Sequence, residues 1–385
     1  MLRATSRLKA NPELTLWSRI LGLNWTLMAL ITMVSSVGFV MLYSAAKGSF
    51  EPWASRQMMR YAILFAMMIV IALVDIRVWL RYAYPFYFLI LGLLLAVEIA
   101  GDIGMGAQRW IDLGLIRLQP SELMKVALVL ALARYYHGLT QDQVGRLSAL
   151  TLPAVMIALP VALVLRQPDL GTAVMLAGGG IAISFLAGVR LWIFLLGGVA
   201  MVSSLPIAWN LMHDYQRRRV LTFINPESDP LGAGYHIMQS KIALGSGGIF
   251  GKGLMGGTQS YLNFLPEKQT DFIFTMLAEE YGLVGGVFLL ALYGMLLLYG
   301  LFISLRSRNQ FGRLLGMGVT FTFSLYVFIN GAMVMGLIPV VGVPLPLVSY
   351  GGTAMMTVLI GFGLLMNVYI HRDIQIGRTG SGMME

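Results

Sequence analysis

Apolar residues in this chain come in long runs, and polar residues gather between them. Ten runs stand out, at about 22–46, 59–75, 82–99, 121–138, 148–165, 170–187, 191–210, 281–303, 312–336 and 347–369. A helix of about 20 such residues crosses a hydrocarbon core of about 30 Å. The pattern predicts an all-α polytopic membrane protein of about ten transmembrane helices. One large loop, roughly 211–280, falls between the seventh and eighth. Pro153, Pro160 and short connections allow kinks or re-entrant segments between 148 and 210. The expected organisation is an N-terminal segment 1–21, an integral membrane domain 22–371 and a tail 372–385, with no internal repeat.

Composition supports the pattern: 57% of the 385 residues are hydrophobic, 12% are charged, and mean hydropathy is +0.76. Soluble domains carry about twice that charged fraction. The net charge of +9 does not point to nucleic acid, because Lys and Arg sit at the ends of the apolar runs. An even number of spans puts both termini on one side of the membrane. With the N-terminus cytoplasmic, the inner segments hold 14 basic residues and the short outer loops hold seven. The positive-inside rule therefore places both termini in the cytoplasm and the 211–280 loop outside. There are no cysteines, and the four histidines are scattered, so no Cys-ligated metal site and no recognisable His spacing exist. The apolar run near the N-terminus is longer than the core of a cleaved secretory signal, about 7–15 residues, and reads as a first span.

In this topology the polar motifs converge on the outer face. They are "GAQRWIDLGLIRLQPSE" (106–122), "RQPDLGTA" (166–173), the 211–280 loop and "VPLPLVSYGG" (343–352). "QPS" and "QPD" each place a Pro before a residue that can cap a helix, Ser121 or Asp169. Asp169 suits capping and cation handling about equally. Glu122 and Lys125 are three apart, so they share a helix face inside the outer boundary. They are either a structural ion pair or functional groups. Arg109 beside Trp110 suits an interfacial anchor as well as a site. Arg217, Arg218 and Arg219 offer guanidinium forks to phosphate, or to anionic headgroups. Gln239, Lys241 and Lys252 follow in the same loop. Lys252 stands in the glycine-rich "GSGGIFGKG", whose backbone N–H groups can approach an anion. "FLPEKQTDFIF" (264–274) places Glu267, Lys268 and Asp271 against the eighth run. By residue type Glu267 is an exposed loop charge, and Asp271 is either an N-cap or a catalytic carboxylate.

Taken together, "GAQRWI", "QPSELMK", "QPDLGTA", "GYHIMQSKIALGSGG", "FLPEKQTDFIF", "LAEEYGLVGG" and "PLPLVSYGGT" closely resemble the SEDS family (shape, elongation, division and sporulation). The resemblance runs in order through roughly 30–372, and "YHIMQSKIALGSGG" and "FGKG…GTQ" are most like its RodA branch. Gln269, where His is common, and the Ala after "SYGGT" are small departures.

The resemblance implies a peptidoglycan glycosyltransferase. It would polymerise lipid II at the outer face of the bacterial inner membrane during elongation, with a class B penicillin-binding protein and other elongation-complex proteins. The family's catalytic Asp falls on Asp271, its outer-loop Arg on Arg109, its acidic–basic pair on Glu122 and Lys125, and its "QPD" acid on Asp169. A lipid diphosphate is already a good leaving group, so one base suffices, in contrast to the paired carboxylates of glycosidases. Asp271 would be that base. The three arginines, Lys125 or Lys252 would hold the developing diphosphate charge. No cofactor is certain; a divalent cation, Mg or Mn, is left open. Two rivals remain. A lipid II flippase needs polar groups through the membrane depth, whereas here they crowd one face. A scaffold for the penicillin-binding protein leaves the carboxylate beside the basic cluster unexplained.

Overall fold

The computed structural model describes residues 15–104, 107–112, 114, 117–211, 217, 221–225, 233–262, 264–265 and 267–377. The helices are α1 (Leu16–Leu21), α2 (Trp25–Ala45), α3 (Ala54–Leu73), α4 (Ile76–Ala100), α5 (Pro120–His137), α6 (Gln141–Val144), α7 (Thr151–Arg166), α8 (Leu170–Leu186) and α9 (Leu191–Leu211). Beyond the large loop's start come α10 (Ala233–Ser246), α11 (Thr258–Tyr261), α12 (Ile273–Arg306), α13 (Gln310–Val334) and α14 (Gly352–Ile370). Among the described residues seven helices are long and apolar enough to cross a membrane, and the chain is a multi-pass helical membrane protein. α8 and part of α9 are shorter apolar segments.

α5 lies at the centre, packed against α4, α7, α8, α13 and α14, and nearly every residue on it is buried. A helix covered on all sides can carry ionisable groups that a lipid-facing helix cannot, because its neighbours supply their partners. The outer helices instead expose apolar side chains, such as Leu195 and Val199 of α9 or Phe288 and Leu298 of α12. This is the surface that lipid covers. With no hydrophobic drive between helices in lipid, polar side chains join them. Tyr87 donates to the Met156 carbonyl at 2.9 Å, Tyr136 to Ser184 at 3.0 Å, and Asn367 to the Ala72 carbonyl at 3.0 Å.

Three helices, α3, α4 and α12, start earlier than the apolar runs predict. α3 begins at Ala54 because its polar first turns are used: Gln57 is fully buried and donates to the Ser349 carbonyl at 2.9 Å. α12 begins at Ile273 and breaks at Gly282, where φ is +66° and ψ is −160°. A side chain there would put its Cβ 2.4 Å from Gly251 N and Ile249 O. At this break the glycine-rich loop lies against the helix. Lys252 and Gly253 N–H donate to the carbonyls of Glu279 and Glu280, and Leu283 and Val284 N–H donate to Gly248 and Ile249. The glycines thus permit backbone contact between a loop and a helix.

Between α4 and α5 the chain forms a small antiparallel sheet, β1 (Asp102–Gly104), β2 (Ala107–Asp112) and β3 (Arg117–Leu118), in the order β1-β2-β3. Strand pairing was not part of the sequence reading of "GAQRWIDLG".

Candidate active site

Asp271 lies just before α12, half-buried, and is not its N-cap. That position belongs to Phe272, with no side-chain cap. The segment 269–271 is held instead by the loop between α13 and α14. Tyr350 N–H donates to the Gln269 carbonyl at 2.8 Å and Ser349 Oγ to the Thr270 carbonyl at 2.5 Å. Asn330 Nδ2 donates to the Asp271 carbonyl at 2.9 Å and to the Val343 carbonyl at 2.8 Å. Gly342, at φ +70°, sits beside the carboxylate, and a Cβ there would lie 3.6 Å from Asp271 Oδ2. From the other side α10 closes in. The His236 ring lies tilted against Phe272, at 6.4 Å between ring centroids, and Ser240 Oγ bonds Thr275 at 2.8 Å and the Val334 carbonyl at 2.7 Å. On α10, Lys241 is exposed beside Gly336, and Gln239 is half-buried.

The loop that touches Asp271 also meets α8: a Cβ on Gly171 would stand 2.7 Å from the Val341 carbonyl. There Asp169 caps α8. Its Oδ1 accepts from Thr172 N–H at 3.1 Å, and its Oδ2 accepts from Thr172 Oγ1 at 3.0 Å and Gln119 at 3.2 Å. Arg109, brought over by β2, donates to the carbonyls of Gln167 at 3.0 Å and Pro168 at 2.5 Å. The "QPD" and "RW" motifs therefore form one joint. Ser121, expected to cap α5, does not: the N-cap is Gln119, and the buried Ser121 hydroxyl has no partner among the described residues.

Glu122 and Lys125 form the ion pair that their spacing predicts, at 2.6 Å, both almost fully buried. A third member comes from α13. Tyr326 OH accepts from Lys125 Nζ at 2.6 Å and donates to Glu122 Oε2. Tyr326 is a neutral residue inside an apolar run, and so sequence reading passed it by.

Other candidates are spent elsewhere. Lys252 Nζ pairs with the fully buried Glu279 at 2.8 Å, and the same carboxylate accepts from Gln259 N–H, Ser260 N–H and Ser260 Oγ at 3.0–3.3 Å. Arg217 donates to the carbonyls of Trp209 and Asn210 at the C-terminal end of α9, at 3.0 and 2.8 Å, a basic cap on a helix end. Arg218 and Arg219 lie outside the described residues. Glu267 is exposed and accepts from Thr270 Oγ1 within its own turn at 3.0 Å. Its neighbour Lys268 is buried and donates to the Ser260 carbonyl at 2.8 Å. Burial first, then the nearby Lys47, lowers its pKa below the ordinary lysine value. Among the described residues no three His, Asp or Glu side chains gather as a metal cluster.

The fold and this cluster define a multi-pass membrane protein with a polar site where loops meet the helix ends. The chain belongs to the FtsW/RodA/SpoVE family of cell cycle proteins, whose family model matches residues 18–374. It is 44% identical over 361 residues to the peptidoglycan glycosyltransferase MrdB of Escherichia coli K12, covering 94% of this chain and 96% of that protein. A probable peptidoglycan glycosyltransferase FtsW of Trichlorobacter lovleyi is 37% identical, over 91% of this chain and 94% of that one. Among solved structures, the rod shape determining protein RodA of Thermus thermophilus superposes with a TM-score of 0.70 at 30% identity, over 91% and 98% of the two chains. A chain in the structure of a peptidoglycan synthase complex, described as coordinating polymerization and crosslinking, reaches 0.79 at 35% identity, again over 91% and 98%.

Proposed function

We propose that this chain is a peptidoglycan glycosyltransferase that polymerises lipid II at the outer face of the inner membrane, with Asp271 as its general base. Relatives at 44% and 37% identity over most of the chain carry that activity in their names. The observation that carries the role of Asp271 is its setting. It is a half-buried carboxylate whose segment is pinned by Asn330, Ser349 and Tyr350 while its side chain stands beside a glycine. Such pinning is the positional control that proton transfer requires.

In the step itself, the 4-hydroxyl oxygen of the incoming sugar bonds to the anomeric carbon of the donor as the bond to diphosphate breaks. Asp271 takes the hydroxyl proton, and undecaprenyl diphosphate departs with the electron pair, inverting the centre. Arg109 uses two of its five N–H groups on backbone carbonyls, which leaves three for a diphosphate oxygen. It and the exposed Lys241 are better placed to meet an anion than Lys252 or Lys125, whose charges are matched by Glu279 and Glu122. A class B penicillin-binding protein as partner is supported by the likeness to a peptidoglycan synthase complex.

The test is glycan-strand synthesis from purified lipid II, with a class B partner present, comparing wild type with Asp271→Ala and Asp271→Asn. Turnover is expected to fall at least about 100-fold in both variants, the lower end of the range for loss of a general base, with partner binding and melting temperature unchanged. Wild-type rates in both would reject Asp271 as the base. Absence of strands from wild type, with lipid II still crossing vesicle bilayers, would favour a flippase.

A further inference from the structure

We infer that Asn330 is a positioning residue for Asp271, a role that rests on reading Asp271 as the base. A buried amide in a membrane helix is costly unless its hydrogen bonds are made. Asn330 is fully buried near the end of α13; its Oδ1 has no partner among the described residues, and both Nδ2 hydrogens go to carbonyls from two separate segments, Asp271 at 2.9 Å and Val343 at 2.8 Å. Neither bond closes a helix or a sheet. Each instead fixes one side of the place where the carboxylate meets the loop, because Val343 directly follows Gly342 and a Gly342 Cβ would stand 3.6 Å from Asp271 Oδ2.

The bonds from Ser349 and Tyr350 hold Thr270 and Gln269. The Asn330 amide, from α13, reaches the Asp271 peptide itself. It also sets the segment against a stiff frame. Asn330 lies one turn beyond Tyr326 on the same face of α13, and Tyr326 is locked to Lys125 and Glu122 on the central helix. The position of the base is thereby referred to the most buried part of the bundle. Neither flanking loop residue can replace this function, since each offers its carbonyl and the missing element would be a donor.

The test compares Asn330→Leu, Asn330→Asp and Asp271→Asn in the full chain with its class B partner, using lipid II as substrate. Loss of the brace is expected to lower the kcat of Asn330→Leu about 10- to 100-fold, the scale of an ångström-sized displacement, with KM within about twofold. A carboxyl in the Asn330→Asp variant keeps the shape and, buried and protonated, donates one of the two bonds. Its kcat should lie between Asn330→Leu and wild type. Where Asn330→Leu does not fold, Asn330→Asp carries the test by the same split: lowered kcat at constant KM supports the brace, and wild-type kcat overturns it. A deficit expressed in KM alone, or an Asp variant no better than a folded Leu variant, would also overturn it. If Asp271→Asn is inactive while Asn330→Leu runs at the wild-type rate, the brace fails alone. If Asp271→Asn runs at the wild-type rate, the base reading fails and the brace falls with it.

Discussion

Glu279 shows how far a single residue can redirect the reading of another. Lys252, in a glycine-rich stretch on an outer loop, suggests an anion site. Its partner is 27 positions along the chain, and the two meet only because the loop's backbone lies against the broken helix α12. No local spacing announces such a pair. The carboxylate is fully buried and the ammonium about three-quarters covered. Removing the cation leaves a buried charge held by the remaining Ser260 and Gln259 donors. Lys252→Met is therefore expected to destabilise the protein by roughly 2–4 kcal/mol, near the range for breaking a buried pair, and to lower the melting temperature without a specific rise in KM. A raised KM at wild-type stability would return Lys252 to the substrate. Lys268 was missed for the opposite reason. It lies three residues before Asp271 in a polar motif, yet it is buried and serves the Ser260 carbonyl.

At the scale of elements, the apolar runs located most helices to within a few residues. The reading 312–336 became 310–334, 170–187 became 170–186, and 191–210 became 191–211. At α3 and α12 the early starts fall where protein buries polar side chains inside the element, whereas α4 begins at Ile76 with the exposed Arg77 and Arg81, which interrupt its apolar run. The three short strands were hidden because two to six residues carry too little periodicity to register. The helix ends opposite the candidate site were read only as basic. There α14 terminates against α3: Asn367 binds the Ala72 carbonyl, and the next turn's His371 is fully buried, with Nδ1 on the Asn367 carbonyl at 2.9 Å. Its Nε2 has no partner among the described residues. Burial is the largest influence on this ring and holds its pKa below the usual histidine value. The unfolded chain therefore takes up a proton that the folded helix end resists. The stability from the neutral ring is complete above about pH 6.5 and is lost as pH falls toward the lower folded value. Between pH 7.5 and 5.5 the melting temperature of the wild type should fall by more than that of His371→Gln. Parallel loss in both proteins would mean that His371 titrates freely.

For the whole molecule, the placement of chemistry depends on which face is outside, and charge alone supplied that orientation. The ten predicted runs put fourteen basic residues on the side expected to be cytoplasmic and seven, Lys125 of α5 among them, on the other, the long loop left out of the count. Arg109, Asp169 and Asp271 all belong to the side with fewer, joined through the Gly171–Val341–Gly342 contacts. The site's components were legible because ionisable groups are scarce in such a chain. Their couplings through Tyr326, Asn330 and Ser349 were not, because neutral polar residues in apolar runs look like ordinary membrane-helix sequence. Lipid II polymerisation outside the cell requires that this face be extracytoplasmic, so orientation and mechanism stand or fall together. The absence of cysteine makes the measurement direct. Single cysteines at the exposed Glu51 and Glu267 should react in intact spheroplasts with a membrane-impermeant maleimide. One at the exposed Asp373 should react only after the membrane is opened. The inverse pattern would place Asp271 in the cytoplasm, where the face carrying fourteen basic residues was expected. It would refute the polymerase geometry whatever the activity of the Asp271 variants.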